Sequence, residues 1–219
     1  MTSSKSTANW VGILFLVAML SYATGFGIIQ SILEAPNYLV VVIENKPRFI
    51  FCILLMLVNS GAVVGIGVFM HSFLKQYNGK IAIGYLCARV IESIVLIVGV
   101  VGLLSLTLLS ERVPNAGVSE QFTLQTLGSL AIKTNYFAYQ IAMFTLGTGS
   151  LGLCYSLFKT LVLPKFLSAW GFIGYAALAT GAVLELFGFP VGLTLSIPGG
   201  LFEIFLPFWL FTKGFHISN

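Results

Sequence analysis

The run Lys80–Leu109 constrains this chain more than any other stretch. After its leading lysine it holds only two charged residues, Arg89 and Glu92, in a background of Ile, Val and Leu. As a helix it would be about 45 Å long, more than the roughly 30 Å of hydrocarbon in a bilayer. Inside a bilayer every backbone N–H and C=O needs an internal partner, which leaves an α-helix or a closed β-barrel. A barrel strand would alternate apolar and polar residues over about ten positions. This run does not alternate, so it reads as a transmembrane helix.

Five further stretches have the same character, at about 10–33, 49–74, 134–158, 166–187 and 191–211. The 219 residues are 58% hydrophobic and 8% charged, whereas a soluble domain carries about 25% charged residues. The sequence therefore predicts an all-α integral membrane protein, a bundle of six transmembrane helices in a single membrane domain over 1–219. No polar stretch is long enough to build a soluble domain. Two longer loops are expected, at about 34–48 and 111–133. In the first, Tyr38–Ile43 is apolar but too short to span, which places it at the membrane surface. In the second, Phe122, Leu127 and Leu130 suggest a short amphipathic helix lying on the membrane. The N-terminal stretch Met1–Asn9 shows no cleavage-site pattern, so the first apolar run is read as a retained helix and not a signal peptide.

The net charge of +4 does not point to nucleic acid, because the basic residues stand singly at helix ends. They carry orientation instead. With six spans, Lys5, Lys75, Lys80, Lys159, Lys165 and Lys213 share one side with no acidic residue. The other side has Lys46, Arg48, Arg112 and Lys133 balanced by Glu34, Glu44, Glu111 and Glu120. The positive-inside rule then places both termini in the cytoplasm. The three cysteines, Cys52, Cys87 and Cys154, fall far apart in apolar runs and read as buried thiols, without disulfide or metal spacing.

Charges at mid-membrane depth are the functional signal. Placing one near the bilayer centre costs about 2.5–3.5 kcal/mol on insertion scales, so such residues face the bundle interior and find partners. Arg89 and Glu92 are three apart and share a helix face. Counted from Lys80 they lie about 14 and 18 Å deep, and Glu203, counted from Lys213, about 15 Å deep. The coincidence predicts that the third and sixth spans are neighbours, with Arg89 paired to Glu203, Glu92 or both. Pro207 cannot donate to the Glu203 carbonyl, and Pro198 precedes Gly199-Gly200, so the sixth span reads as a broken helix. Irregular backbone at this depth is tolerated where it lines a cavity. Asn59 at mid-depth of the second span, and Tyr136 and Gln140 opening the fourth, are added as ligand-orienting candidates. Glu185 reads as a solvated helix end and His71 as an interfacial side chain.

Catalytic signatures are missing. No HExxH, GxSxG or phosphate-cradling glycine loop occurs, and the chain has no Asp. No metal site and no cofactor is expected, and the reading leans away from an enzyme.

Three phrases also resemble a known pattern: Ala88-Arg89-Val90-Ile91-Glu92, the stretch Leu163–Gly174, and the ending from Phe202-Glu203 through Trp209 to Phe215. Together they resemble the bacterial membrane-protein family of domain of unknown function 4386. The resemblance implies a six-helix protein of the bacterial plasma membrane with Arg89, Glu92 and Glu203 as pattern residues. It implies no activity.

The leading expectation is a membrane protein that binds a small or amphiphilic ligand at Arg89, Glu92 and Glu203. A proton-coupled transporter using Glu203 or Glu92 is the first alternative. An intramembrane lipid-modifying enzyme and a structural or immunity-type partner protein are the others. The expected partners are the lipid bilayer and that ligand, with a homo-oligomer admissible and nucleic acid excluded.

Overall fold

Seven α-helices account for nearly all of residues 2–215, which the structure, a computed structural model, describes. They are α1 (Thr2–Leu33), α2 (Tyr38–Glu44), α3 (Lys46–Leu74), α4 (Gly79–Arg112), α5 (Val118–Thr160), α6 (Lys165–Leu186) and α7 (Gly192–Thr212). No strand occurs among the described residues. Six of the helices, all but α2, are long and apolar enough to cross a membrane. Each spanning helix packs on the next in chain order, and α7 closes onto α1, so the six make a ring. The first and last spans meet at one end, where Gly12 faces the Phe211 ring and Gly214 approaches Ala8. That end is called terminal below, and the opposite end distal.

Local chemistry fixes most boundaries. Asn78 caps α4 by accepting from the Lys80 and Ile81 N–H groups, leaving fewer orphan donors at that end. Pro47 sits in the first turn of α3, where its missing N–H costs nothing. α5 ends at Leu161, whose left-handed backbone (φ 57°) turns the chain into the buried Val162-Leu163 and then Pro164.

The distal connections are more helical than expected. The segment 34–48 contains α2, whose Leu39 and Val42 are buried against α4 and α1. Most of 111–133 is not a loop with a separate surface helix: α5 begins at Val118 and runs without interruption into the span. No proline interrupts it, and its packed residues are Leu124, Gly128 and Ala131, not Phe122, Leu127 and Leu130, which are exposed. The packed set places small residues where neighbours come close. A side chain at Gly128 would strike Tyr38, whose hydroxyl donates to the Gln125 carbonyl at 3.0 Å, and one at Gly102 of α4 would meet the Ala131 carbonyl. At 43 residues α5 is about 65 Å long, whereas α6 and α7 are about 33 and 32 Å, just enough to cross. The α6–α7 turn therefore sits lower than the distal ends of α4 and α5.

Two apolar cores bracket the middle of the ring. One fills the terminal half with Val11, Phe73, Tyr85, Leu163, Phe202 and Leu210 among others. The second lies at the distal end and joins α1, α2, α3, α4 and the start of α5. The charged residues lie between them.

α7 is continuous through both prolines. The sixth span is therefore not broken: Pro198 and Pro207 each delete one ladder bond, to the Thr194 and Glu203 carbonyls, while the helix goes on. Packing holds it. Gly174 of α6 and Gly199 of α7 approach so closely that a Cβ at Gly174 would lie 2.8 Å from the Gly199 backbone. Beside them the Trp170 indole donates to the Pro198 carbonyl at 3.0 Å.

Candidate functional site

Arg89 projects from α4 into the ring at the level where α3 offers a glycine. A Cβ at Gly67 would come within 3.0 Å of the Arg89 Cβ, so the small residue makes room for the large one. The guanidinium donates through one terminal nitrogen to Glu92 Oε2 at 2.8 Å, and both residues are 2% exposed. Phe15 and Tyr85 place their ring centroids 5.6 and 5.7 Å from the Arg89 Cζ, within cation–π range. Arg89 Nε is buried and has no hydrogen-bond partner among the described residues, and neither has the buried Tyr85 hydroxyl.

Glu203 comes from α7, on the opposite side of the ring. It accepts from the Tyr175 hydroxyl of α6 at 2.9 Å and has no cation within ion-pair distance among the described residues. Of the expected pairings the one to Glu92 occurs, on Arg89's own helix, while the expected adjacency is corrected: α4 and α7 do not pack as neighbours, and no ion pair joins Arg89 to Glu203. In a ring each span packs on its two chain neighbours, so α4 and α7 face each other across the interior. Between them is a cavity of about 210 Å³, walled by Arg89, Glu92, Glu203, Asn59, Phe15 and Tyr139 among others. The three charges sum to one negative charge.

A second cavity of about 410 Å³ continues toward the distal end, between α1, α5, α6 and α7. Tyr22, Ala23, Tyr139 and Met143 line both chambers, and the Tyr22 and Tyr139 rings stack there at 5.7 Å. The distal chamber also holds Tyr136, Gln140 and Glu185. Tyr136 donates to Glu185 Oε2, and the Gly192 N–H at the start of α7 donates to Oε1 at 2.6 Å. Toward the terminal end the interior is shut. Below Tyr85 and Tyr175 the free space falls to about 10 Å³, barely the volume that admits one water.

The six site residues named from the sequence thus fall into two groups. Arg89, Glu92, Glu203 and Asn59 meet in the deep chamber, and Tyr136 and Gln140 in the distal one. Tyr175 and Tyr139 are not among the residues named from the sequence, and Glu185, read there as a solvated helix end, lines the distal chamber. For Tyr175 a signal existed, since it lies ten residues from Lys165 as Glu203 does from Lys213. Glu185 is not a free helix end, because it ties α6 to the start of α7. His71 lies in the last turn of α3, away from both chambers. Of the cysteines, Cys52 and Cys154 are buried, but Cys87 is exposed on the outer face of α4. No group of residues suited to a metal ion occurs among those described.

Six apolar spans ringed around an interior polar cavity define a multi-pass helical membrane protein. Its family follows from the sequence match: residues 10–214 fit the family model described as "Domain of unknown function (DUF4386)", and the chain belongs to that family. No curated protein and no solved structure matches it.

Proposed function

We propose that the protein binds a small or amphiphilic molecule in the deep chamber, reached through the distal one. The Arg89 guanidinium carries this reading: it is buried and charged, belongs to a residue that walls a cavity, and is matched within its own helix by Glu92 through one terminal nitrogen, with Nε unpaired among the described residues. A buried donor left unmade costs about 1–3 kcal/mol, more when charged. An ion pair needed only for packing is poorly explained, since apolar residues of the same volume are often as stable. An acceptor offered to the part of Arg89 that lines the cavity would offset the cost of burying its charge, with Asn59 and Glu203 on the same wall to orient the ligand. On the positive-inside count, the distal end faces outward and both termini lie in the cytoplasm, which suits a bacterial plasma membrane.

The test is mass spectrometry of molecules extracted from protein purified out of its own membranes. The wild type is expected to carry one species stoichiometrically, and Arg89→Lys, which keeps the charge but removes Nε, to lose it while eluting as a folded protein. Equal yields of every extracted species from both would overturn the reading.

A second reading draws on the one-sided closure. Chambers that extend toward the distal end above a terminal half with almost no free space are what one state of an alternating-access transporter would have, with Glu203 as the proton-exchanging group. Its test is proton release from the detergent-solubilised protein on ligand addition, expected for the wild type and lost in Glu203→Gln.

A further inference from the structure

The distal chamber has a chemistry of its own. We infer that it is a recognition site for an organic cation, an amine or quaternary ammonium group on an apolar body. This inference rests on the ligand-binding reading and names the class of ligand that enters.

Glu185 is the charged residue in the chamber lining. Both of its oxygens are anchored, one by the Tyr136 hydroxyl and one by the Gly192 N–H, so its charge is held at a fixed place. No cation lies within ion-pair distance among the described residues. The Lys133 ammonium, the nearby candidate, sits over the Tyr136 ring at 5.6 Å instead. The start of α7 compensates only in part, since a helix N-terminus is equivalent to about half a positive charge. A carboxylate in this condition attracts a cation.

The remaining wall supplies what a desolvated cation needs. Tyr22 stacks on Phe26 at 5.5 Å and on Tyr139 at 5.7 Å, and with Tyr136 these rings line the same chamber as Glu185. Aromatic side chains beside a fixed carboxylate are a means by which proteins bind ammonium groups that cannot donate hydrogen bonds, and since Tyr22 is flanked by Phe26 and Tyr139, it is Tyr139, stacked on Tyr22 alone among the described residues, that has a face to offer. Leu193, 84% exposed at the rim, offers an apolar threshold for the rest of the molecule.

The experiment uses the purified full chain in dodecyl maltoside and two probes of similar size and opposite charge, benzyltrimethylammonium and benzylsulfonate, titrated by calorimetry. The inference expects saturable binding of the ammonium probe alone, weakened at least tenfold by Glu185→Gln. Tyr139→Leu, which removes a ring, should weaken it more than Tyr139→Phe, which keeps one. Circular dichroism and gel filtration of each variant separate lost binding from lost folding. Binding of benzylsulfonate that disappears in Arg89→Lys would overturn the cation assignment and leave the ligand-binding reading standing. Binding of the ammonium probe unchanged in Glu185→Gln and Tyr139→Leu would overturn the site. Wild-type protein that binds neither probe would overturn the cation inference, while stoichiometric loss of a co-purified species in Arg89→Lys would still uphold the broader reading.

Discussion

Tyr175 donates its hydroxyl to Glu203 at 2.9 Å, joining α6 to α7 midway along both helices. Each residue lies ten positions from the lysine at the terminal end of its helix, Lys165 and Lys213, so their depth match is written in the spacing. A hydrogen bond to a charged group contributes about 1.5–3 kcal/mol. Tyr175→Phe keeps the ring and its packing and should lower stability by about that amount. Thermal unfolding of the purified protein in detergent checks it.

The Arg89–Glu92 pair gives a sharper contrast. Removing one partner of a buried pair leaves an uncompensated charge and costs about 3–5 kcal/mol. Arg89→Leu alone should therefore destabilise strongly, while Arg89→Leu combined with Glu92→Leu should recover most of the loss. Ligand retention should disappear in both. A double variant that regains stability but not binding separates what the pair does for the site from what it does for the fold; the checks are unfolding and mass spectrometry on the same samples.

The Gly174–Gly199 contact sets the spacing of α6 and α7. Gly174→Val forces a side chain into backbone 2.8 Å away and should cost more than about 1–3 kcal/mol, the usual penalty for overpacking. Gly200, one residue on, meets nothing within 4 Å and is exposed. Gly200→Ala should be neutral or slightly stabilising, since alanine is favoured over glycine in a helix by about 1 kcal/mol. Parallel melts of the two variants test the register.

Orientation can be read by labelling. Gly79 and Gly117 stand at opposite ends of α4 and its following turn, both with open space around them. In a chain with its own cysteines replaced, Gly117→Cys should react with an impermeant maleimide on intact cells. Gly79→Cys should react only after the membrane is opened. The reverse pattern would place the termini outside.

The spans and the shared level of Arg89, Glu92 and Glu203 in the bundle are legible in the sequence because both depend on one-dimensional quantities: apolar length and residue count. The partner of each charge is not. Depth says which residues share a level, but six helices can place level residues as neighbours or across a ring, and only packing decides. Gly67 against Arg89 and Gly174 against Gly199 make that decision, through contacts absent from any single helix pattern. The continuity of α5 was hidden for a related reason. Phe122, Leu127 and Leu130 suggested a face, but the packed face uses Leu124, Gly128 and Ala131, where small size rather than hydrophobicity lets Tyr38 and α4 approach. Likewise Pro198 and Pro207 suggested a break that tertiary packing of α7 overrides.

The most direct test is an experimental map of the protein purified from its own membranes, resolved well enough to see side chains around Arg89. The account predicts non-protein density in the cavity between Arg89, Glu92 and Glu203, with an acceptor within hydrogen-bond distance of the Arg89 guanidinium. A cavity closed by side chains, with the guanidinium donating to protein oxygens alone, would contradict it.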